Sequence, residues 1–105
     1  MYTKENAVET LQQLCQGPTG RLRAMVGAYD ICMDSENHAV SFKFKATAKN
    51  KINYVKITLT SMDDYTVEFG KIAKTEYKVV ETCKGIYNDM LKNLFETTTG
   101  LYLSL

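Results

Sequence analysis

Between residues 40 and 72 the chain alternates apolar and polar side chains three times over, and a two-residue period admits few folds. Val40, Phe42 and Phe44 point one way while Ser41, Lys43 and Lys45 point the other, the signature of a strand buried on one face. The alternation returns at Val55, Ile57 and Leu59 against Tyr54, Lys56, Thr58 and Thr60. It returns again at Tyr65, Val67 and Phe69 against Thr66, Glu68 and Gly70. The short run Ser61-Met62-Asp63-Asp64 is rich in turn formers, so an antiparallel hairpin joins the second and third segments. A one-residue slip in any pairing would turn Phe42, Ile57 or Phe69 out to water, so the buried face fixes the register.

The flanking segments read as cover and continuation of this sheet. Thr3 is an N-cap for a helix with Val8, Leu11 and Cys15 on one stripe, Ala7 and Leu14 beside it, and Glu5 in the first turn. Gln16-Gly17-Pro18-Thr19-Gly20 ends it. Residues 21–29 fit either a helical face or a strand, with Gly27 weakening both, and read as a short helical turn or irregular segment feeding a strand at 28–33. Asp34-Ser35-Glu36-Asn37 is a turn cluster that makes 28–33 and 39–45 a hairpin. Residues 77–82 form an edge strand, for which Lys74 and Lys78 are suited.

From 84 to 98, Ile86, Met90 and Leu94 make one helical row and Tyr87, Leu91 and Phe95 the next, with Gly100 placed to end the helix. The apolar tail 101–105 should pack back as a short strand or extended segment. The fold expected is a single α+β domain over residues 1–105. It has an antiparallel sheet of about four to five strands with N-terminal and C-terminal helices packed on one face.

At 105 residues the chain is long enough to bury a core without metal or disulfide staples. A net charge of +1 sets up no global field for nucleic acid or membrane. Cys15, Cys32 and Cys83 are odd in number and lack a Cys-x-x-Cys pair, which reads as reduced thiols in a cytoplasmic setting. Neither an apolar leader nor a run near the ~20 apolar residues of a membrane span is present.

Chemistry is sparsely signalled. His38 is the single histidine and sits beside a turn, and the sequence contains no nucleophile elbow, phosphate loop or zinc-spaced cluster. Asp63 and Asp64 are neighbours that point apart along a strand, a poor geometry for sharing a proton or metal. Asp34, Glu36 and Asn37 lack the spacing of a calcium loop. The reading is therefore not an enzyme, with no cofactor and no metal.

Two candidate binding regions remain. Lys43, Lys45, Tyr54 and Lys56 share the outward sheet face, and residues 43–56 hold five lysines and no acid. A basic face with an aromatic can hold phosphates and stack a base. It is equally how an ordinary sheet keeps one face wet, and Glu68 partly neutralises it. Arg21 and Arg23, the only arginines, follow the Gly-Pro-Thr-Gly turn as the second region, suited to phosphate or carboxylate.

Several stretches together resemble small proteins encoded by bacteriophages and mobile elements. They are Met25-x-Gly27-Ala28, Phe42-Lys43-Phe44, residues 53–59, residues 64–69, Val79-Val80, Gly85-Ile86-Tyr87 through Met90-Leu91, Phe95, and Thr99-Gly100 to the Ser104-Leu105 end. The resemblance implies no catalytic residues. It implies action by binding in a host cytoplasm, and it adds interest to residues 21–29.

Three functions follow as expectations. The first is a phage or mobile-element protein that binds and inhibits a host protein or nucleoprotein complex, in the manner of an anti-CRISPR or other anti-defence factor. The second is a single-stranded nucleic-acid binder using Lys43, Lys45, Tyr54 and Lys56. The third is a nucleotide-sequestering sponge using Arg21, Arg23 and aromatic residues. No membrane partner is expected, and the chain is a monomer or homodimer.

Overall fold

The computed structural model describes residues 2–103. Helix α1 spans Lys4–Cys15, and its first turn is closed by a capping box: the Thr3 hydroxyl accepts from the Asn6 backbone N–H, and Asn6 accepts from that of Thr3. Ala7, Thr10, Leu11, Leu14 and Cys15 are buried. The buried arc is thus centred between Leu11 and Leu14, and Val8, expected at mid-stripe, sits at the rim and is exposed. Thr10 enters the core because its hydroxyl donates to the Asn6 carbonyl at 2.9 Å and lies 3.2 Å from the Tyr2 hydroxyl.

The ambiguous stretch becomes a second helix, α2, at Gly20–Val26. Gly27 ends it in the left-handed region at φ +70°, where its N–H bonds the Arg23 carbonyl. A Cβ there would also crowd the Lys45 Cβ at 3.1 Å, so glycine is favoured on two counts.

Five strands follow as an antiparallel meander in chain order: β1 Tyr29–Asp34, β2 Ala39–Lys43, β3 Tyr54–Leu59, β4 Tyr65–Ala73 and β5 Glu76–Ile86. Helix α3, Leu91–Thr99, completes an α+β domain with the helices on one face of the sheet. Val40, Phe42, Phe44, Val55, Ile57, Val67 and Phe69 are all buried, and they join Leu11, Leu14, Leu22, Leu91 and Phe95 in one apolar cluster. Each fully covered Leu or Phe contributes roughly 1.5 to 3 kcal/mol. Phe95 sits at the centre, with ring centroids 6.4, 5.6 and 6.3 Å from those of Phe42, Phe44 and Phe69.

The C-terminal third departs from its sequence pattern. Residues 84–86 belong to β5, which runs past residue 82 until Ile86 pairs with Tyr65. A short 3-10 turn at Asn88–Met90 precedes α3. At the start of 84–98 helical spacing lost to cross-strand pairing, where Gly85, at φ +68°, is a weak helix former. Tyr87 is consequently 57 % exposed and Met90 is exposed too, while Leu91 and Phe95 keep their predicted burial.

Gly100 ends α3 at φ +76°. Beyond it Leu103 is buried, and its N–H donates to Glu96 Oε2 at 2.8 Å. The tail therefore packs back in part, though not as a strand, and Ser104 and Leu105 lie outside the described residues. Among those residues no helix is long and apolar enough to cross a membrane.

Candidate functional site

With the helices on one side, the other side of the sheet lies open, and its register places its side chains in rows. Directly opposed residues share a face. One row crosses all five strands: Tyr29 faces Lys43, Lys43 faces Tyr54, Tyr54 faces Gly70, and Gly70 faces Val79. The next holds Cys32, Ser41, Lys56, Glu68 and Thr82. A third holds Asp34, Ala39, Thr58 and Thr66.

Gly70 leaves a gap in the first row, and Tyr77 fills it. A Cβ on Gly70 would lie 2.3 Å from Tyr77 Cε1, so this tyrosine lies flat on the bare backbone. Its ring meets Tyr54 edge-on at 5.2 Å and its hydroxyl donates to Glu68. Burial, and then the Glu68 carboxylate, push the Tyr77 phenol well above its ordinary pKa. An aromatic pair of this kind is worth about 0.5–1.5 kcal/mol beyond its buried area.

At the other end of the row the Lys45 ammonium stands 5.4 Å over the Tyr29 ring. Lys43 Nζ lies 3.4 Å from Asp30 Oδ2, an exposed pair of small energetic value. Asp30 reaches that place from a bulge in β1, where it adopts φ +51°. Lys56 faces Glu68 directly, and its charge also reaches Asp34.

Lys43, Lys45, Tyr54 and Lys56 are therefore brought together on one face, as their spacing indicates. The structure interleaves them with Asp30, Asp34 and Glu68, so three lysines meet three carboxylates and the face is electrically mixed. Tyr29, Asp30 and Tyr77 belong to the same surface and were not legible as such. A glycine at an outward strand position, Gly70, was the one sequence signal for an overlying aromatic.

Arg21 and Arg23 are not on this surface. They lie in helix α2, not on a loop, and residues two apart on a helix diverge by about 200°. The Arg21 guanidinium rests on Gly17, where a Cβ would be 3.1 Å from Cζ. The pair cannot close on one phosphate as a fork.

His38 adopts φ +54° at the β1–β2 turn and stacks on Tyr2 at 5.8 Å. Both border an open hollow of about 340 Å³ with Asn6, Thr60, Ser61 and Asp63. The Thr60 hydroxyl there is held by Asp64. The hollow brings His38 beside Ser61 and Asp63 from a distant turn, but no hydrogen bond links their side chains. Among the described residues no group of three or more His, Cys, Asp and Glu is placed to hold a metal ion.

No protein-family model, curated protein or solved structure matches this chain.

Proposed function

We propose that this chain is an accessory protein of a bacteriophage or mobile element that works by binding. It holds a host macromolecule on the open face of its sheet and inhibits it, as an anti-CRISPR or related anti-defence factor would. The observation that supports this is the row Tyr29, Lys43, Tyr54 and Tyr77 on an uncovered sheet, interleaved with carboxylates. Tyrosines offer large, stiff contact area with a polar tip, and mixed charge selects a complementary protein surface more than it attracts a polyanion. The phage setting rests on the sequence resemblance alone.

The test is affinity capture from host lysate with the wild-type chain and with the Tyr54→Ala, Tyr77→Ala double variant, both checked for folding by circular dichroism. A stoichiometric partner retained by the first and lost by the second is expected. Recovery of no stoichiometric partner by the folded wild-type chain would overturn the proposal.

A second reading, single-stranded nucleic-acid binding, is favoured by Lys45 poised over Tyr29 beside Lys43, Tyr54 and Lys56. It requires binding of a labelled oligonucleotide to weaken steeply with added salt. Salt-insensitive or absent binding ends it.

A further inference from the structure

Among the described residues strand β5 has a partner on one side only, and it is long, with 11 residues against a usual five or six. Tyr77, Val79 and Val80 are exposed along it. Such an edge invites another strand unless something repels it. We propose that β5 pairs with β5 of a second copy of this chain, antiparallel and about a two-fold axis that runs between the two strands level with the Val79–Val80 peptide, giving one continuous ten-stranded sheet.

The argument begins with a conflict inside the chain. Lys78 on β5 faces Lys71 on β4, a directly opposed like-charge pair, which destabilises a sheet. Neither lysine forms an ion pair within the chain among the described residues. Three residues on, Glu81 faces Phe69, and its side chain has only weak contacts, with Thr98 Oγ1 at 3.5 Å and Cys83 Sγ at 3.8 Å. Glu76, two residues before Lys78 on the same strand face, borders the same hollow as both lysines without an ion pair to either, so two lysines share one carboxylate on one side of Val79-Val80 and Glu81 stands alone on the other.

Their faces matter next. Residues three apart on a regular strand point to opposite sides. In β5 the pairing shifts between Phe69 and Gly70, so that Glu81 faces Phe69 while Val79 faces Gly70, leaving Val80 as an extra residue. Phe69 points to the helix side, so Glu81 does too. Gly70 points outward, so Lys71 and its partner Lys78 return to the helix side. The bulge has brought Lys78 and Glu81 onto one face.

A two-fold axis level with residues 79 and 80 then sets every position against one of matching orientation. Lys78 meets the second copy's Glu81, and the symmetry makes that pair twice. Val79 meets Val80, also twice, and on the outward face Tyr77 meets Thr82. Each Lys78, opposed by Lys71 within its own sheet, gains a directly opposed carboxylate.

The other edge lacks this self-complementarity. Pairing β1 about Cys32 would set Asp30 against Asp34 at both ends. A lysine and a bulge are also ordinary ways to protect an edge, but protection needs no glutamate at the symmetric position. This inference is independent of any partner on the open face.

Sedimentation equilibrium from about 1 µM to about 1 mM spans the range in which small interfaces associate. The wild-type chain should shift reversibly from 11.9 kDa to twice that mass. Lys78→Glu and Glu81→Lys should each weaken association roughly tenfold or more, because each turns two attractive pairs into two repulsive ones. The double variant Lys78→Glu, Glu81→Lys restores opposite charges and should regain the dimer. A wild-type chain that stays monomeric throughout, single variants that associate like wild type, or a double variant that stays as weak as the single ones would each overturn the proposal. Lys78→Glu also relieves the clash with Lys71, so it should fold. Should either reversal nevertheless fail to fold, the wild-type chain decides, since a mixed-label sample must give intermolecular NOEs between Val79 and Val80.

Discussion

Phe95→Ala is the sharpest test of the core. The ring is 1 % exposed and meets Phe42, Phe44 and Phe69 at centroid distances of 5.6–6.4 Å, so truncation empties the point where α3 crosses the sheet. Removing a buried phenylalanine costs about 3–5 kcal/mol, and three lost ring contacts favour the upper half of that range, about 4 kcal/mol. A domain of this size has about 5–15 kcal/mol in all, so the variant should lose a large share of its stability and melt some 15–30 °C lower. Phe95→Leu, which keeps most of the volume, should recover more than half of the loss.

The comparison that gives the experiment its force is Tyr87→Ala. Helical spacing puts Tyr87 in the same row as Leu91 and Phe95, whereas in the structure it is 57 % exposed, ahead of α3. Its truncation should change stability by no more than about 0.5 kcal/mol. Equilibrium urea unfolding, with slopes checked for constancy, measures both. Comparable costs for the two variants would mean that the helix begins near residue 84 and that the packing described above is wrong. A Phe95→Ala cost below about 1.5 kcal/mol would refute the ring cluster as the centre of the core.

Two further outcomes follow from the electrostatics. Gly70→Ala should displace Tyr77 from its seat, and because the obstructing atoms lie at the end of a flexible side chain, the protein should still fold. Freed from burial and from Glu68, the Tyr77 phenol should titrate nearer its ordinary value, and ultraviolet titration showing no drop would contradict its placement. Asp34 is held below its ordinary pKa, first by the Asn37 side-chain amide at 2.7 Å and then by the Asn37 backbone N–H at 3.1 Å. Its stabilising contribution is therefore full above the unfolded value near ~4 and fades as pH falls through the lower folded value. Stability curves of wild type and Asp34→Asn should converge in acid, and a constant offset down to the lowest pH would rule this out.

Alternation with period two determined the sheet from local sequence. It named the buried faces of β2, β3 and β4, because a side chain on the wrong face of a half-buried strand exposes an entire row. Caps did the same for two helix ends, with Thr3 and Gly100 acting through their own backbone geometry, whereas Gly27 showed itself as a cap only in the structure. Tertiary structure decided whatever depended on partners distant in the chain. Residues 84–86 carry a helical spacing yet pair with β4, since Tyr65 opposite Ile86 outweighs a local preference that Gly85 has already weakened. The lysine-rich stretch 43–56 reads as basic only until Asp30, Asp34 and Glu68 arrive beside it from other strands. Tyr77 joins the open face only because Gly70, on the neighbouring strand, leaves a bare backbone for it to cover. Charge balance and side-chain seating are sums over neighbours in space, and a chain read in order cannot perform that sum.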